Sequence, residues 1–510
     1  MLARTIMVQG TASHAGKSIL VAALCRIFGQ DGYQVAPFKS QNMALNSYVT
    51  AQGGEMGRAQ VVQAEAAGVA PDVKMNPILL KPTGNSSSQV IVMGRPLDNY
   101  SAQSYHSKVA TSLWEVVTRA LYQLRREYNI VVIEGAGSPA EVNLYDTDIV
   151  NMRVAREADA PVLLVADIDR GGALAAVVGT LELLPPEDRE RVKGIIINKF
   201  RGDVSIFQPA IEFLEQKTGI PVLGVIPFFN DLRIQDEDSV VMEEKNYSTT
   251  GDENKIQICV IRLPRLSNFT DFDAFETDTD VELRYVRTVN ELVRPDLIII
   301  PGSKNTIEDL LYLKQTGLSG KIVRAAKDGT PVVGICGGFQ MLGSELLDPE
   351  GTESNIQQLS GLGLLAMRTV FARDKVTSQV KAVINGGGEY LSGYAGDLTG
   401  YEIHMGRTEL DQNLAHAFNI QTRSGLQVDV KDGAVSACGN VWGTYMHGIF
   451  DNDGFRRHLI NILKRKKGIL GEQSDQVITT LERRQRDYDR LADHVRANLN
   501  MKLVYSILGI

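Results

Sequence analysis

One segment of the 510-residue chain restricts its fold more than any other: residues 330–343, with the sequence TPVVGICGGFQMLG. A short apolar run leads to Cys336, which has glycines on both sides, and a helix-forming sequence follows at once. The glycines permit a strained turn and keep side chains away from an incoming substrate. The pattern predicts an α/β sheet in which a strand ends in a nucleophile elbow, with cysteine in place of serine.

Cys336 is the predicted nucleophile of this elbow. The N-terminus of the following helix favours the thiolate, and the backbone N–H of Gly337 is a natural donor to an oxyanion. A second donor is expected at Gly302, in the turn PGSK at residues 301–304. A buried structural cysteine is the alternative, but the surrounding glycines would then have no purpose.

The base for this cysteine is expected at His447, in the sequence GTYMHG after a strand-like run. His404, in GYEIHMG, is the other histidine of this half in a comparable setting, and is either substrate-facing or structural. Asp451 and Glu402 are the candidates for a third group that orients His447. A Cys–His dyad is the alternative.

A second glycine-rich turn, GTASHAGKS at residues 10–18, lies between a predicted strand and a helix predicted at 19–28. Backbone N–H groups in such a loop converge on phosphate oxygens, a lysine reaches the terminal phosphates and a serine holds Mg²⁺. Five residues rather than four separate the loop's two glycines, and in this the loop resembles that of dethiobiotin synthetase. The predicted nucleotide-binding residues are Thr11, Gly16, Lys17 and Ser18, with Ser18 also on Mg²⁺.

Three more side chains are expected beside this loop. The resemblance to dethiobiotin synthetase makes Glu134, at the end of a strand, a Mg²⁺ ligand, with a carboxylate on a solvated turn as the alternative. The same comparison implies that Asn198 reads the adenine edge, although a lone Asn is more often a turn former. Lys39 is expected to bind a substrate carboxylate or the transferred phosphoryl group. Other basic residues nearby are more often solvated surface charges: Arg58, Lys74 and Lys81.

Alternating apolar runs and helix-like stretches predict two α/β domains and a tail. A P-loop NTPase-like parallel-sheet domain is expected at residues 1–245, an acidic linker at 246–254 and the cysteine-elbow domain at 255–455. An apolar stripe among charges predicts a helical tail at 456–510, packed on its own protein. Buried strands are predicted at 5–9, 34–37, 130–133, 161–166, 194–198, 222–226, 256–261, 297–301 and 331–335.

The net charge, the lengths of the apolar runs and the cysteine spacing indicate which class of protein to expect. The net charge of −8 argues against a nucleic-acid partner. No apolar run approaches the roughly 18 residues that a membrane span needs. The 4 cysteines lack metal-ligand or disulfide spacing, and the N-terminus has no signal-peptide pattern. These features predict a cytoplasmic protein.

Taken together, the motifs of both halves resemble the cobyric acid synthase family. The spacing from Cys336 to His447 is also similar to that of triad-type (class I) glutamine amidotransferases, although Ile449 stands where those enzymes usually have Glu. The resemblance extends from residue 1 to about residue 455. The matching segments are 37–46 (PFKSQNMALN), 57–60, 75–82, 135–141, 167–172, 198–203, 267–273, 301–304 and both catalytic segments.

This resemblance implies ATP- and glutamine-dependent amidation of the b, d, e and g carboxylates of adenosylcobyrinic acid a,c-diamide, with Mg²⁺ and no bound prosthetic group. Nothing in composition or spacing indicates a corrinoid substrate. Cobyrinic acid a,c-diamide synthase has similar parts, but the segments 39–46 and 267–273 favour the first activity. A positioning ATPase with a deviant P-loop would lack the cysteine elbow. Ile449 leaves open a binding module with an inactive amidotransferase domain.

Overall fold

The computed structural model describes residues 2–83, 87–105, 109, 111–229, 252–469 and 479–510. The predicted linker at 246–254 lies outside these residues except for its last three. Each half of the described chain contains a parallel sheet with a hydrophobic core of its own. The predicted α/β class is therefore confirmed.

The N-terminal sheet is parallel throughout its described strands. These strands are rich in Val and Ile and are almost completely buried, as expected for strands between two layers of helices. Each was predicted from the sequence, with ends that differ by one or two residues. From one edge to the other, the strands are Val222–Pro227, Val192–Phe200, Val162–Asp167, Arg4–Gly10, Ile130–Glu134 and Val35–Phe38.

The helices of this half follow the parallel strands. The helix Lys17–Gln30 begins directly after Gly16, whose φ of 95° lies in the left-handed region that favours glycine. The other helices are Arg58–Ala66, Ala102–Ser104, Trp114–Glu127, Met152–Ala158, Ala173–Leu183, Pro186–Arg189 and Val204–Thr218, with 3-10 turns at Val73–Met75, Thr111–Leu113 and Val142–Thr147.

Short extra strands that lie in the sequence between the parallel strands Val35–Phe38 and Ile130–Glu134 were not predicted. They belong to two small sheets, one with four described strands and one a hairpin. Most are short or polar, so neither periodicity nor hydrophobicity identifies them. The four strands are Gln41–Met43, Ile78–Pro82, Ser87–Val92 and Arg95–Ser101, and the hairpin strands are Ser47–Val49 and Glu55–Gly57.

The C-terminal sheet places the cysteine elbow near its centre. Its described strands are parallel except for the last pair. The strand Val332–Ile335 ends one residue before Cys336, as predicted. In spatial order the strands are Val281–Val286, Ile256–Ile261, Leu297–Ile300, Val332–Ile335, Val441–Thr444 and Ala434–Val435.

A second, mostly antiparallel sheet in the C-terminal half was also missed. Its long strands carry many charged residues, as in RDKVTSQVK at 373–381, and most residues of the strand Met367–Ile384 are only partly buried or exposed. The last of its strands contains His447. The strands are Glu345–Leu347, Gln358–Ser360, Met367–Ile384, Leu398–Leu410, Phe418–Arg423, Leu426–Asp432 and Met446–His447.

The C-terminal tail is helical, as predicted, but its last two helices pack on the N-terminal half, whereas the helix Asp453–Lys467 packs in the core of the C-terminal half. Tyr488, Leu491 and Val495 are buried in one core with residues of helix Lys17–Gln30, and Arg26 Nε donates to Asp489 Oδ1 at 2.8 Å. No helix among the described residues is both long and apolar enough to cross a membrane. The helices of this half are Thr306–Gln315, Leu318–Lys327, Gly337–Met341, Gly388–Leu391, Asp453–Lys467, Thr480–Asn498 and Met501–Leu508, with 3-10 turns at Phe269–Thr277 and Ile449–Asp451.

Candidate active site

Cys336 occupies a strained turn between its strand and the short helix Gly337–Met341. Its φ of 50° is unusual for a residue with a side chain, and it matches the predicted elbow. A Cβ on Gly338 would overlap the Ile300 carbonyl, and one on Gly334 would lie 2.7 Å from the backbone of Gly338. The glycines are therefore required by close backbone packing, and the packing holds the sulfur at the carboxyl edge of the sheet.

His447 lies beside Cys336, and both line one cavity. Its Nδ1 lies 2.6 Å from Oδ2 of Asp271, whose Oδ1 accepts the backbone N–H of Gly448 at 3.0 Å. Burial alone would lower the pKa of His447, but the charge of Asp271 and the contact with Cys336 raise this pKa to about 10. The imidazole is therefore held in its protonated form, next to a thiol that it can help to ionise.

Asp271 is the orienting carboxylate that sequence reasoning missed. Asp451 instead pairs with Arg484 at 2.8 Å. Glu402 pairs with Arg423 at 2.8 Å. Neither residue makes a hydrogen bond to His447, so the prediction that one of them orients this histidine is wrong. Asp271 lies 176 residues before the histidine, and its only signal was a place in the segment 267–273 that carries the family resemblance.

The two predicted oxyanion donors border the same site. A Cβ added to Gly302 would lie 3.1 Å from Cε1 of His447, and one added to Gly337 would lie 2.9 Å from the backbone nitrogen of Ser303. The two turns are therefore in close contact beside the cysteine. Cys336 Sγ itself lies 3.4 Å from the carbonyl oxygen of Ile403. The oxyanion role of the two glycines stays a prediction.

The phosphate loop of the N-terminal half has the geometry expected of such a loop. Lys17 Nζ donates to the carbonyl oxygens of Ala12 and Gly137, at 3.0 Å each, so the ammonium group folds back over the loop. The backbone N–H of Thr11 donates to Val165 O at 2.9 Å. The loop leads into the N-terminus of the helix Lys17–Gln30, the end of a helix that favours negative charge.

Glu134 is the centre of a polar network beside this loop. Its Oε1 accepts from Ser18 Oγ at 2.8 Å and from Lys39 Nζ at 2.9 Å. Its Oε2 accepts from Gln63 at 2.5 Å and from Gln60 at 3.4 Å. Burial alone would raise the pKa of Glu134, but Lys39 and the hydrogen bonds lower it, so the carboxylate stays ionised. The structure thus brings together three residues chosen from the sequence and adds two glutamines that were not.

The chemistry of this network fits Mg²⁺. A serine hydroxyl and a carboxylate are the hard oxygen ligands that this ion takes, and its remaining positions are usually filled by phosphates and water. No cluster of three acidic, histidine or cysteine residues suited to a metal occurs in the part of the chain that the structure describes. The binding of Mg²⁺ by Ser18 and Glu134 stays a prediction.

Asn198 has a structural contact that the sequence did not indicate. Its amide nitrogen donates to Ala15 O at 2.9 Å, and a Cβ on Gly16 would collide with this amide. The side chain therefore supports the phosphate loop and explains why residue 16 must be glycine. The predicted contact with adenine stays a prediction.

A hairpin of the N-terminal half, residues 47–57, reaches the cysteine site. The backbone N–H of Ser47 donates to Asn268 Oδ1 at 3.1 Å. The ring of Tyr48 packs edge-on against Tyr401 at 5.1 Å, and Tyr401 stacks on the imidazole of His447 at 5.3 Å. The hairpin leads directly into the helix that carries the two glutamines on Glu134. One continuous segment therefore contacts both sites.

Two basic residues expected at the surface are instead buried. Lys81 Nζ donates to Glu55 Oε1 at 2.8 Å, and its side chain is only 5% exposed. Arg58 is buried over the ring of Tyr48. Lys74 is closer to expectation, since it pairs with the half-exposed Glu127. The sequence could not show that Lys81 and Arg58 are buried and that Lys74 is more exposed. The burial of the first two depends on the hairpin and the small sheet, which were not predicted.

Comparison with known proteins supports one family. Residues 6–240 match the CobQ/CobB/MinD/ParA nucleotide binding domain family, and residues 257–455 match the CobB/CobQ-like glutamine amidotransferase domain family. The cobyric acid synthase of Pelotomaculum thermopropionicum is 56% identical and that of Moorella thermoacetica 54%; both alignments cover 100% of this chain, and 97% and 98% of those proteins. A chain of PurLQS from Thermotoga maritima overlaps 41% of this chain at 19% identity, with a TM-score of 0.33, which is too distant to inform the assignment. The chain belongs to the cobyric acid synthase family.

Proposed function

We propose that this protein is a cytoplasmic amidoligase that uses ATP and glutamine to convert the b, d, e and g carboxylates of adenosylcobyrinic acid a,c-diamide into carboxamides, giving adenosylcobyric acid. The work is divided between an ATP-dependent domain at residues 1–245 and a glutamine amidotransferase domain at 255–455. One observation carries the proposal: Asp271 contacts Nδ1 of His447, and His447 lines one cavity with Cys336 and with Lys81 of the ATP-binding half.

In the amidotransferase site, the Cys336 thiolate attacks the side-chain amide carbon of glutamine. Asp271 holds Nδ1 of His447, which leaves Nε2 to give a proton to the departing ammonia. The backbone N–H groups of Gly337 and Gly302 stabilise the oxyanion. Water then hydrolyses the thioester, and glutamate leaves.

In the ATP-binding half, a substrate carboxylate attacks the γ-phosphate of ATP. The carboxylate by itself is a poor electrophile, and the acyl phosphate so formed is attacked by ammonia, which displaces phosphate. Lys17 neutralises the charge that develops on the phosphoryl oxygens, and Lys39 orients the carboxylate. Ser18 and Glu134 would hold Mg²⁺, and the ion would supply further charge neutralisation.

The alternative activities make different demands on the two sites. A positioning ATPase would need no cysteine elbow and no Asp–His pair, although the family matched at residues 6–240 includes the MinD and ParA proteins. The two cobyric acid synthases align with the whole of this chain and therefore with both of its halves. Cobyrinic acid a,c-diamide synthase would use the same chemistry on other carboxylates.

The test is the mass of the corrinoid product. The protein is incubated with ATP, Mg²⁺, glutamine and either adenosylcobyrinic acid a,c-diamide or cobyrinic acid. We expect four amidations of the first acceptor and none of the second. Amidation of cobyrinic acid at two positions would identify the alternative synthase instead, and ATP hydrolysis without any amidation would refute an amidoligase.

A further inference from the structure

The cavity beside Cys336 is lined by charged side chains that the thioester chemistry does not use. They come from both halves of the chain, so the group exists only where the two halves meet. Four of its members line the cavity itself, and the fifth lies behind two of them. The members of this interface cluster are Glu55, Lys81, Lys304, Glu353 and Lys375.

Two of the three lysines share one carboxylate. Glu55 accepts from Lys81 at 2.8 Å and from Lys375 at 2.5 Å, and the side chains of all three are at most 5% exposed. Lys304 is different, because it donates only to the neutral amide of Gln89, at 3.3 Å. It forms no ion pair with any residue that the structure describes.

The charges of the cluster do not balance. Three ammonium groups face two carboxylates, Glu55 and Glu353, and Glu353 also accepts the backbone N–H of Thr306 at 2.8 Å. A net positive charge in a shielded cavity is unfavourable unless an anion joins it or a lysine loses its proton. Burial, followed by the charges of Lys375 and Lys81, lowers the pKa of Lys304 to about 7, and burial raises the pKa of Glu353 to about 7 although Lys304 opposes this rise. Lys304 is therefore the member on which an incoming anion would act.

A second feature of the cavity also indicates a polar ligand. Neither ring nitrogen of His404 makes a hydrogen bond to a described residue, although its side chain is only 9% exposed; its Nε2 lies 3.8 Å from Glu402 Oε1, beyond hydrogen-bond distance. The ring is held in place by stacking on Tyr445 at 3.7 Å, and it lines the cavity next to Cys336. Buried polar atoms are rarely left unsatisfied unless something binds them.

We propose that the interface cluster is the subsite for the two α-substituents of glutamine, with Lys304 binding the α-carboxylate, Glu353 the α-ammonium group, and His404 supporting the amino acid between them. This rests on the proposed glutaminase function. When the side-chain amide carbon of glutamine lies at Cys336, the α-carboxylate and the α-ammonium group must lie elsewhere in the same cavity. The ligand has one carboxylate and one ammonium group, which matches a lysine and a carboxylate that line the same cavity and form no ion pair with each other.

The subsite has a consequence for the whole enzyme. Gln89, which holds Lys304, and Glu55, which holds Lys375, both belong to the ATP-binding half. The recognition of glutamine therefore depends on the docking of the two halves, and glutamine bound away from the ATP-binding half would lack its correct charge environment.

The experiment compares two ammonia donors, L-glutamine and L-glutamine α-amide, in which a neutral amide replaces the α-carboxylate. Ammonia release is measured with the full-length wild type and with Lys304→Met, Lys304→Arg and Lys314→Met. Lys314 provides the matched control, because it bonds Ser360 and lies outside the cavity. Product formation from ammonium chloride is measured in parallel, and thermal melting monitors folding.

We expect the wild type and Lys314→Met to prefer glutamine at least tenfold in kcat/KM, equivalent to about 1.4 kcal/mol. Lys304→Met should lose this preference and raise KM for glutamine at least tenfold, while amidation with ammonium is kept, and Lys304→Arg should retain part of the preference. Equal use of both donors by the wild type would overturn the proposal without any variant. A preference unchanged in Lys304→Met would overturn it too. Parallel loss with both glutamine and ammonium would assign Lys304 to the corrinoid or to the docking of the halves. A wild type that hydrolyses neither donor would contradict the glutaminase function itself.

Discussion

Replacing Asp271 with Asn tests the orienting carboxylate with almost no change in shape. The rise in the pKa of His447 from 6.5 to about 10 corresponds to roughly 5 kcal/mol in favour of the imidazolium form, at ~1.4 kcal/mol for each pKa unit. Asp271 is the largest of the groups that raise this pKa. Asp271→Asn should therefore return the pKa of His447 towards 6.5 and let the imidazole turn to the wrong tautomer. By analogy with serine triads, kcat for glutamine hydrolysis should fall by about 10²- to 10⁴-fold.

The same substitution should also shift the pH dependence of glutaminase activity, in a direction that follows from the pKa of His447. The active form needs the protonated imidazole, which persists as long as the pH is below the pKa of His447. In the wild type the descending limb of glutaminase activity should thus lie near pH 10, and in Asp271→Asn it should move to lower pH. Ammonium-dependent amidation should be retained, because the ATP site does not use Asp271.

Asp451→Asn and Glu402→Gln are the matched controls, since both remove a carboxylate of this half that makes no hydrogen bond to His447. Each should retain most of the wild-type glutaminase rate. Hydrolysis of glutamine by Asp271→Asn at the wild-type rate, with an unshifted alkaline limb, would show that Asp271 does not orient His447. A control variant as slow as Asp271→Asn would show the same.

Three further predictions concern the ATP-binding half and the tail. Lys17→Ala should lose amidation with glutamine and with ammonium alike, because both routes need the activated carboxylate, whereas glutamine hydrolysis should persist; normal synthesis would remove this loop from the mechanism. Removal of Mg²⁺ with a chelator should likewise stop amidation with either donor, and re-addition should restore it; a chelator-resistant synthesis would contradict the Ser18–Glu134 site. Leu491→Ala should destabilise the N-terminal half by about 2–5 kcal/mol in denaturant unfolding, because Leu491 is buried against helix Lys17–Gln30, and the exposed Leu481→Ala should cost little; equal effects would argue against tail docking.

The sequence was sufficient for elements whose signal is local. Strand–glycine–helix segments specify both the phosphate loop and the elbow of Cys336, since the backbone there can adopt its geometry only with glycine at particular positions. Ser18, Glu134 and Lys39 were found separately, each at the carboxyl end of a strand or the start of a helix. Because the carboxyl ends of parallel strands share one edge of the sheet, they meet in space.

Contacts between residues far apart in the sequence could not be predicted from local sequence patterns. Asp271 reaches His447 only because a 3-10 turn after the strand Ile256–Ile261 is packed against the last strand of the antiparallel sheet. The same limit applies to Lys81 and Arg58, whose burial follows from small sheets with weak periodicity. The docking of the tail on the opposite half depends on tertiary packing, which a single helical stripe does not specify.

The most direct measurement of the central claim is amidation by Cys336→Ala with two ammonia donors at matched ATP. The account predicts that glutamine yields no product, because no thioester can form, and that ammonium chloride at alkaline pH restores synthesis of the amidated corrinoid. Product formed from glutamine by Cys336→Ala would show that this cysteine is not the nucleophile. Failure with both donors in a folded protein would show that the two sites do not act as separate half-reactions.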